Sequence, residues 1–180
     1  MNLANKITIL RILLVPGIVA CLVYYAPDRD WLRFFALGLF ILGVISDALD
    51  GAIARLQNQR TELGALLDPI ADKALILTTL ISCSVIDGLP EWLSLPPWFN
   101  VVVISRDVLL VCGALVVFVN TGQWHVRPSR LGKCTTVAQM LVVVVLLLHL
   151  PFKEPLLLMA AVLTVLSGIH YIRTGVRVLG

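Results

Sequence analysis

Asp47-Ala48-Leu49-Asp50-Gly51-Ala52-Ile53-Ala54-Arg55 is followed, after eight residues, by Gly64-Ala65-Leu66-Leu67-Asp68-Pro69-Ile70-Ala71-Asp72. Four carboxylates and two glycines thus stand at fixed intervals in a chain that otherwise reads as membrane. An aspartate near the middle of a bilayer helix costs about 2.5–3.5 kcal/mol on insertion scales. Four uncompensated ones would cost on the order of 10 kcal/mol. A pair of divalent cations is the simplest compensation, and the stretch therefore reads as the centre of a metal-dependent membrane enzyme.

The surroundings agree. Of 180 residues, 59% are hydrophobic and 14% charged, against about 45–50% and about 25% for a soluble domain. Six apolar runs approach the roughly 20 residues a bilayer span needs: Ile7–Tyr25, Leu32–Gly51, Ala65–Ile86, Val101–Val119, Cys134–Leu150 and Leu156–Tyr171. The expected fold is all-α, a polytopic membrane protein with six transmembrane helices in one bundle. Short connections leave room for a single domain over residues 1–180. The first run has no small-residue cleavage site and carries Pro16-Gly17 in its middle, so it reads as a retained helix. Residues 2–6 ahead of it are expected along the membrane surface.

Lys and Arg set the orientation. With the N-terminus inside, the inner segments hold Lys6, Arg11, Arg55, Arg60, Arg127, Arg130, Lys133, Arg173 and Arg177, and the outer ones Arg29, Arg33 and Lys153. Both termini and the aspartates are then cytoplasmic, as in a bacterial-type inner membrane. The net charge of +3 reflects this bias and anionic lipid headgroups, with no nucleic-acid footprint. Cys21, Cys83, Cys112 and Cys134 lack metal-ligand or redox spacing and read as small buried hydrophobes. Trp92 and Trp98 mark an external, interfacial loop.

Helix geometry puts residues three and four apart on one face. Asp47 and Asp50 share a face near the inner end of the second span, and Asp68 and Asp72 share one at the start of the third. A short loop lets the four converge. Hard oxygen ligands suit Mg²⁺ or Mn²⁺, and two such ions can clamp the attacking and leaving oxygens of a phosphoryl displacement. Gly51 lets an anion approach the helix, Arg55 offers a planar fork for phosphate oxygens, and Gly64 is expected to end the loop. Asp72, a turn deeper than Asp68, is placed to take a proton from a substrate hydroxyl.

The pattern Asp47-x2-Asp50-Gly51-x2-Ala54-Arg55-x8-Gly64-x3-Asp68-x3-Asp72 resembles the full signature of the CDP-alcohol phosphatidyltransferase family. That resemblance implies a six-helix membrane fold, usually a homodimer, with two divalent metals at its cytoplasmic side. It implies transfer of a phosphatidyl group from a CDP-linked lipid to an alcohol, with release of CMP. Asp47, Asp50 and Asp68 then look like metal ligands, Asp72 like ligand and base, and Gly51, Arg55 and Gly64 like part of the nucleotide and diphosphate site. Asn2 to Arg11, Gly132-Lys133-x2-Thr136-x2-Gln139 and Thr164-x2-Ser167-Gly168 resemble stretches of the branch whose acceptors are glycerol 3-phosphate or phosphatidylglycerol. Ala4 stands where that branch usually has Pro, and His170 where Asp is common.

The expected reaction is transfer from CDP-diacylglycerol to glycerol 3-phosphate. Phosphatidylglycerol is the alternative acceptor, and a cation-coupled transporter is the alternative of another class, disfavoured by the absence of inverted repeats. A phosphorylated acceptor needs a cationic pocket beside the metals. Arg106, Arg130 and Lys133 are the candidates, with Arg127 a weaker one. Arg106 interrupts an apolar span, and Asp107 points about 100° away around the helix, so Asp107 is not its expected partner. His125, His149 and His170 share no spacing and are given no catalytic role.

Overall fold

A computed structural model describes the backbone of residues 3–57, 62–121 and 129–179, and the side chains of residues 9–46, 73–117, 119–120 and 129–176. Its helices are α1 (Leu3–Val23), α2 (Trp31–Gln57), α3 (Glu62–Val85), α4 (Pro97–Thr121), α5 (Arg130–Leu147) and α6 (Lys153–Leu179), with one 3-10 turn at Pro27–Arg29. No strand occurs among the described residues. Each apolar run of the sequence corresponds to one helix. Among the described residues three stretches, Pro97–Val117, Arg130–Leu147 and Lys153–Val176, are long and apolar enough to cross a membrane. Shorter apolar helices cover Ile9–Val23, Trp31–Ser46 and Lys73–Val85 among the described residues.

Around an apolar core, the outer surface is apolar as well and several polar side chains are buried. Leu13, Val101, Leu158 and Val119 are exposed, the last at 79%, while Ser46, Thr79, Thr135, Gln139, Thr164 and Ser167 are buried. Apolar surface outside and polar groups inside is what a lipid solvent selects. This is an integral membrane protein.

The chain forms two compact units. The first, residues 1–95 with 146–149, packs α1 against both α2 and α3. Its closest approach is at Gly43, where an added Cβ would meet Leu75 at 2.8 Å and Leu14 at 3.6 Å. A side chain there would have to displace the Leu75 methyls. At Gly17 an added Cβ would meet Leu39 at 3.2 Å, so α1 and α2 run antiparallel with 17 beside 39 and 14 beside 43.

The end of this unit away from the aspartates is tied by one polar cluster. Arg33 donates from Nε to Asp30 Oδ1 at 2.9 Å and from Nη2 to Asp30 Oδ2 at 2.6 Å, and its Nη1 reaches the Leu147 carbonyl at 3.2 Å. Its guanidinium lies 5.2 Å from the Trp92 ring, and that ring stacks on His149 at 4.1 Å. His149 has φ +54°. Its N–H donates to the Leu146 carbonyl, and in the second unit Leu150 N–H donates to Val145. That bond pair is the helix stop usually built on glycine. Here the Trp92 stack supports a histidine in the left-handed conformation.

The second unit, residues 96–145 and 150–180, is laced by interhelical hydrogen bonds. Thr135 Oγ1 lies 2.9 Å from the Leu131 carbonyl and 3.2 Å from that of Leu163. Gln139 Nε2 donates to Thr164 Oγ1 at 3.3 Å, and Thr164 Oγ1 donates to the Ala160 carbonyl at 2.6 Å. These contacts set α6 in register on α5, and so place Ser167 one turn beyond Thr164.

Candidate active site

The aspartate stretch is helical through most of its length. α2 continues to Gln57, so Asp47, Asp50, Gly51, Ala54 and Arg55 share one uninterrupted helix. Asp68 and Asp72 lie on α3. Gly64, expected to end the loop, instead stands in the first turn of α3, because helical structure resumes at Glu62. α2 and α3 are in contact. The side chains of Asp47, Asp50, Arg55, Asp68 and Asp72 lie outside the described residues, as do Arg127 and His125. Among the described residues no group of three or more His, Cys, Asp or Glu is placed to hold a metal.

Arg11, counted with the inner charges, lies inside α1 and is 0% exposed. α1 begins at Leu3, so the backbone of residues 3–6 continues into the same helix. The sequence signal for Arg11 was there: it lies between Leu10 and Ile12 in an apolar run, where an arginine is expensive unless it has work to do.

The cationic candidates of the second unit are brought to one helix turn. Ser129 caps α5, accepting the Gly132 N–H on its Oγ at 3.0 Å, while its carbonyl accepts the Lys133 N–H at 3.2 Å. Arg130 and Lys133 are exposed on that first turn. Arg106, from α4, is 8% exposed and reaches the same turn: a Cβ on Gly132 would stand 3.1 Å from Arg106 Nη2 and 3.2 Å from Ser129 Oγ. The glycine is what allows the guanidinium to lie against the capped end.

Arg106 Nη1 donates to Asp107 Oδ1 at 2.7 Å, and Nη2 donates to Ser167 Oγ at 2.9 Å. The pairing with Asp107 overturns the expectation from helix angle. A 100° offset separates the Cβ directions, but the long arginine side chain sweeps back across it. Neutralisation by Asp107 also lowers the cost of a buried guanidinium. The Nε of Arg106 is buried with no hydrogen-bond partner among the described residues. A capped helix N-terminus, which attracts anions, therefore carries one oriented guanidinium and two exposed cations. Such a site suits a phosphate.

Ser167 enters the sequence only through a resemblance, which does not show that it accepts from the Arg106 guanidinium. A small polar residue one turn after Thr164 was the available signal.

Residues 1–166 match the family described as CDP-alcohol phosphatidyltransferase. A Bacillus subtilis protein named CDP-diacylglycerol–glycerol-3-phosphate 3-phosphatidyltransferase is 36% identical over 191 aligned positions, covering 94% of this chain and 93% of the relative. An Escherichia coli protein of that name is 31% identical, covering 95% and 93%. A third, from Cereibacter sphaeroides, is 35% identical over 82% of this chain, and the match spans only 63% of that longer relative. With the aspartate signature complete and the family match covering most of its length, the chain belongs to the CDP-alcohol phosphatidyltransferase family.

Proposed function

We propose that this protein transfers the phosphatidyl group of CDP-diacylglycerol to glycerol 3-phosphate, giving phosphatidylglycerophosphate and CMP. The observation that carries the acceptor assignment is the likeness, over nearly the whole chain, to relatives named for that reaction. The gathering of Arg106, Arg130 and Lys133 at the start of α5 supports it, because the acceptor carries a phosphate.

The donor set of Asp47, Asp50, Asp68 and Asp72 fits Mg²⁺ or Mn²⁺, since all four donors are hard carboxylate oxygens on two contacting helices. Two bound ions would supply charge neutralisation for the diphosphate and for the departing CMP. The register at Gly43 supports convergence: counted from the Gly43–Leu75 contact along antiparallel helices, Asp50 falls level with Asp68, and Asp47 within one residue of Asp72. Gly51 and Gly64 leave backbone open to the nucleotide diphosphate, and Arg55 adds a fork for its oxygens.

In the proposed reaction the primary hydroxyl of glycerol 3-phosphate attacks the lipid-linked phosphorus. A new P–O bond forms, the P–O bond to CMP breaks, and Asp72 takes the hydroxyl proton. Arg106, Arg130 and Lys133 hold the acceptor phosphate. The acyl chains stay in lipid, and the protein works as a single membrane domain of six spans, dimeric, with both termini and the aspartates facing the cytoplasm.

Asp72→Asn tests the assignment of the base. Turnover is expected to fall at least about a hundredfold, as for loss of a general base, while the purified variant still binds CDP-diacylglycerol. Wild-type turnover by this variant would overturn it.

A further inference from the structure

Arg106 is located by three helices at once. Its stem runs past Gly168 of α6, where an added Cβ would stand 3.7 Å from Cγ. Its Nη2 lies against the start of α5 at Gly132 and donates to Ser167 Oγ of α6 at 2.9 Å. On its own helix, Nη1 donates to Asp107 Oδ1 at 2.7 Å. The two side chains of that ion pair are 9% and 13% exposed, so water does little to hold the guanidinium.

A guanidinium carries five N–H donors in one plane. The bond to Ser167 alone would leave that plane free to turn about a single contact. The bond from Nη1 to Asp107 adds a second fixed point and stops the turn. It is a charge-assisted bond, the stronger kind. Nε is buried with no hydrogen-bond partner among the described residues, and each Nη makes one bond to the protein. Donor capacity therefore remains for an oxyanion at the capped start of α5. Asp107 neutralises one charge there, yet Arg130 and Lys133, exposed on the same turn, keep the cluster cationic.

We propose that Asp107 is a positioning residue for the acceptor phosphate: with Ser167, it fixes the plane in which Arg106 presents its remaining N–H groups. This rests on the reading of Arg106 as part of the acceptor site. Misplacing a binding group by about 1 Å can cost about a hundredfold in rate, so a second anchor on a long side chain has a direct kinetic consequence.

The test uses the purified full chain with Asp107→Ser, Asp107→Asn, Ser167→Ala, Arg106→Gln and the Asp107→Ser/Ser167→Ala double variant. Serine is too short to reach Nη1 but leaves room for water beside it, so the buried guanidinium is not stranded. Asp107→Ser is expected to raise KM for glycerol 3-phosphate about tenfold, with KM for CDP-diacylglycerol unchanged. Asp107→Asn keeps an acceptor oxygen at the same reach and should stay within about threefold of wild type. Because both anchors act on one guanidinium, the double variant should lose less than the product of the two single losses. Wild-type KM in Asp107→Ser, or losses that multiply in the double variant, would overturn the proposal. Equal losses in Asp107→Ser and Asp107→Asn would also overturn it, leaving the carboxylate as a charge compensator only. If Arg106→Gln itself leaves KM for glycerol 3-phosphate unchanged, the placement of the acceptor at Arg106 fails. A large rise in Arg106→Gln with none in Asp107→Ser overturns the role of Asp107 alone.

Discussion

Arg106 Nη2 lies 2.9 Å from Ser167 Oγ, a buried hydrogen bond joining residues 61 apart in sequence. It fixes a charged group of α4 against α6, within 3.1 Å of where a Cβ on Gly132 would stand. Hydrogen bonds to charged groups are worth about 1.5–3 kcal/mol. Ser167→Ala is therefore expected to raise KM for glycerol 3-phosphate about tenfold, with KM for CDP-diacylglycerol unchanged. Ser167→Thr should recover most of the loss. Steady-state kinetics with each substrate varied in turn checks this; equal rises in both KM values would point to general damage instead.

Gly132→Ala probes the same guanidinium from the other side. The added methyl would stand 3.1 Å from Nη2 and 3.2 Å from Ser129 Oγ. The arginine end can shift by a few tenths of an ångström, so folding should survive. Small misplacement of a positioning group still costs rate, and the expected loss in kcat/KM for glycerol 3-phosphate is roughly three- to tenfold. Unaltered kcat/KM would mean that the guanidinium is not used in this position.

Gln139→Leu makes a contrast between polar contacts. Its bond to Thr164 is long, at 3.3 Å, and Thr164 keeps its own bond to Ala160. Interhelical hydrogen bonds of this type average about 0.6 kcal/mol in membranes. Thermal unfolding in detergent should show a fall of no more than about 3 °C. A fall several times larger would show that the bond does more than tie α5 to α6.

The Arg33–Asp30 fork gives a pH dependence whose sign is defined. Hydrogen bonds from Arg33 hold the Asp30 carboxyl below the ordinary value of 3.8, with smaller contributions from the Tyr25 hydroxyl and from His149. A carboxyl depressed in the folded state adds stability above its unfolded pKa, and that stability is lost as pH falls through the folded value. The difference in Tm between wild type and Asp30→Asn should be constant above about pH 5 and shrink below the ordinary carboxylate value. A difference that stays flat down to pH 3 would contradict the pairing.

Much of this was legible in the chain. Long apolar runs with short connections define the helices, because in a bilayer the backbone must satisfy itself within each span. The aspartate spacing defined the candidate centre for the same reason: charges are too costly in lipid to stand there idly. What escaped were relations between helices. Arg11 reads as one more inner charge until its burial within α1's unit is seen. Cβ direction alone separates Asp107 from Arg106, but it underrates how far an arginine side chain can swing. Gly64 falls inside α3 because helix ends are set by capping and packing, which the apolar run beginning at Ala65 does not register. The His149 stop is invisible in sequence because a histidine stands at the usual glycine position, supported by Trp92 from a distant loop.

The central claim is tested most directly by CMP release from purified protein with CDP-diacylglycerol, Mg²⁺ or Mn²⁺, and a series of acceptors. Rapid release with glycerol 3-phosphate, abolished by a chelator and absent with phosphatidylglycerol, inositol 1-phosphate or serine, is the predicted result. Release with phosphatidylglycerol in place of glycerol 3-phosphate would contradict the proposed acceptor, and release that survives metal removal would contradict the role given to the four aspartates.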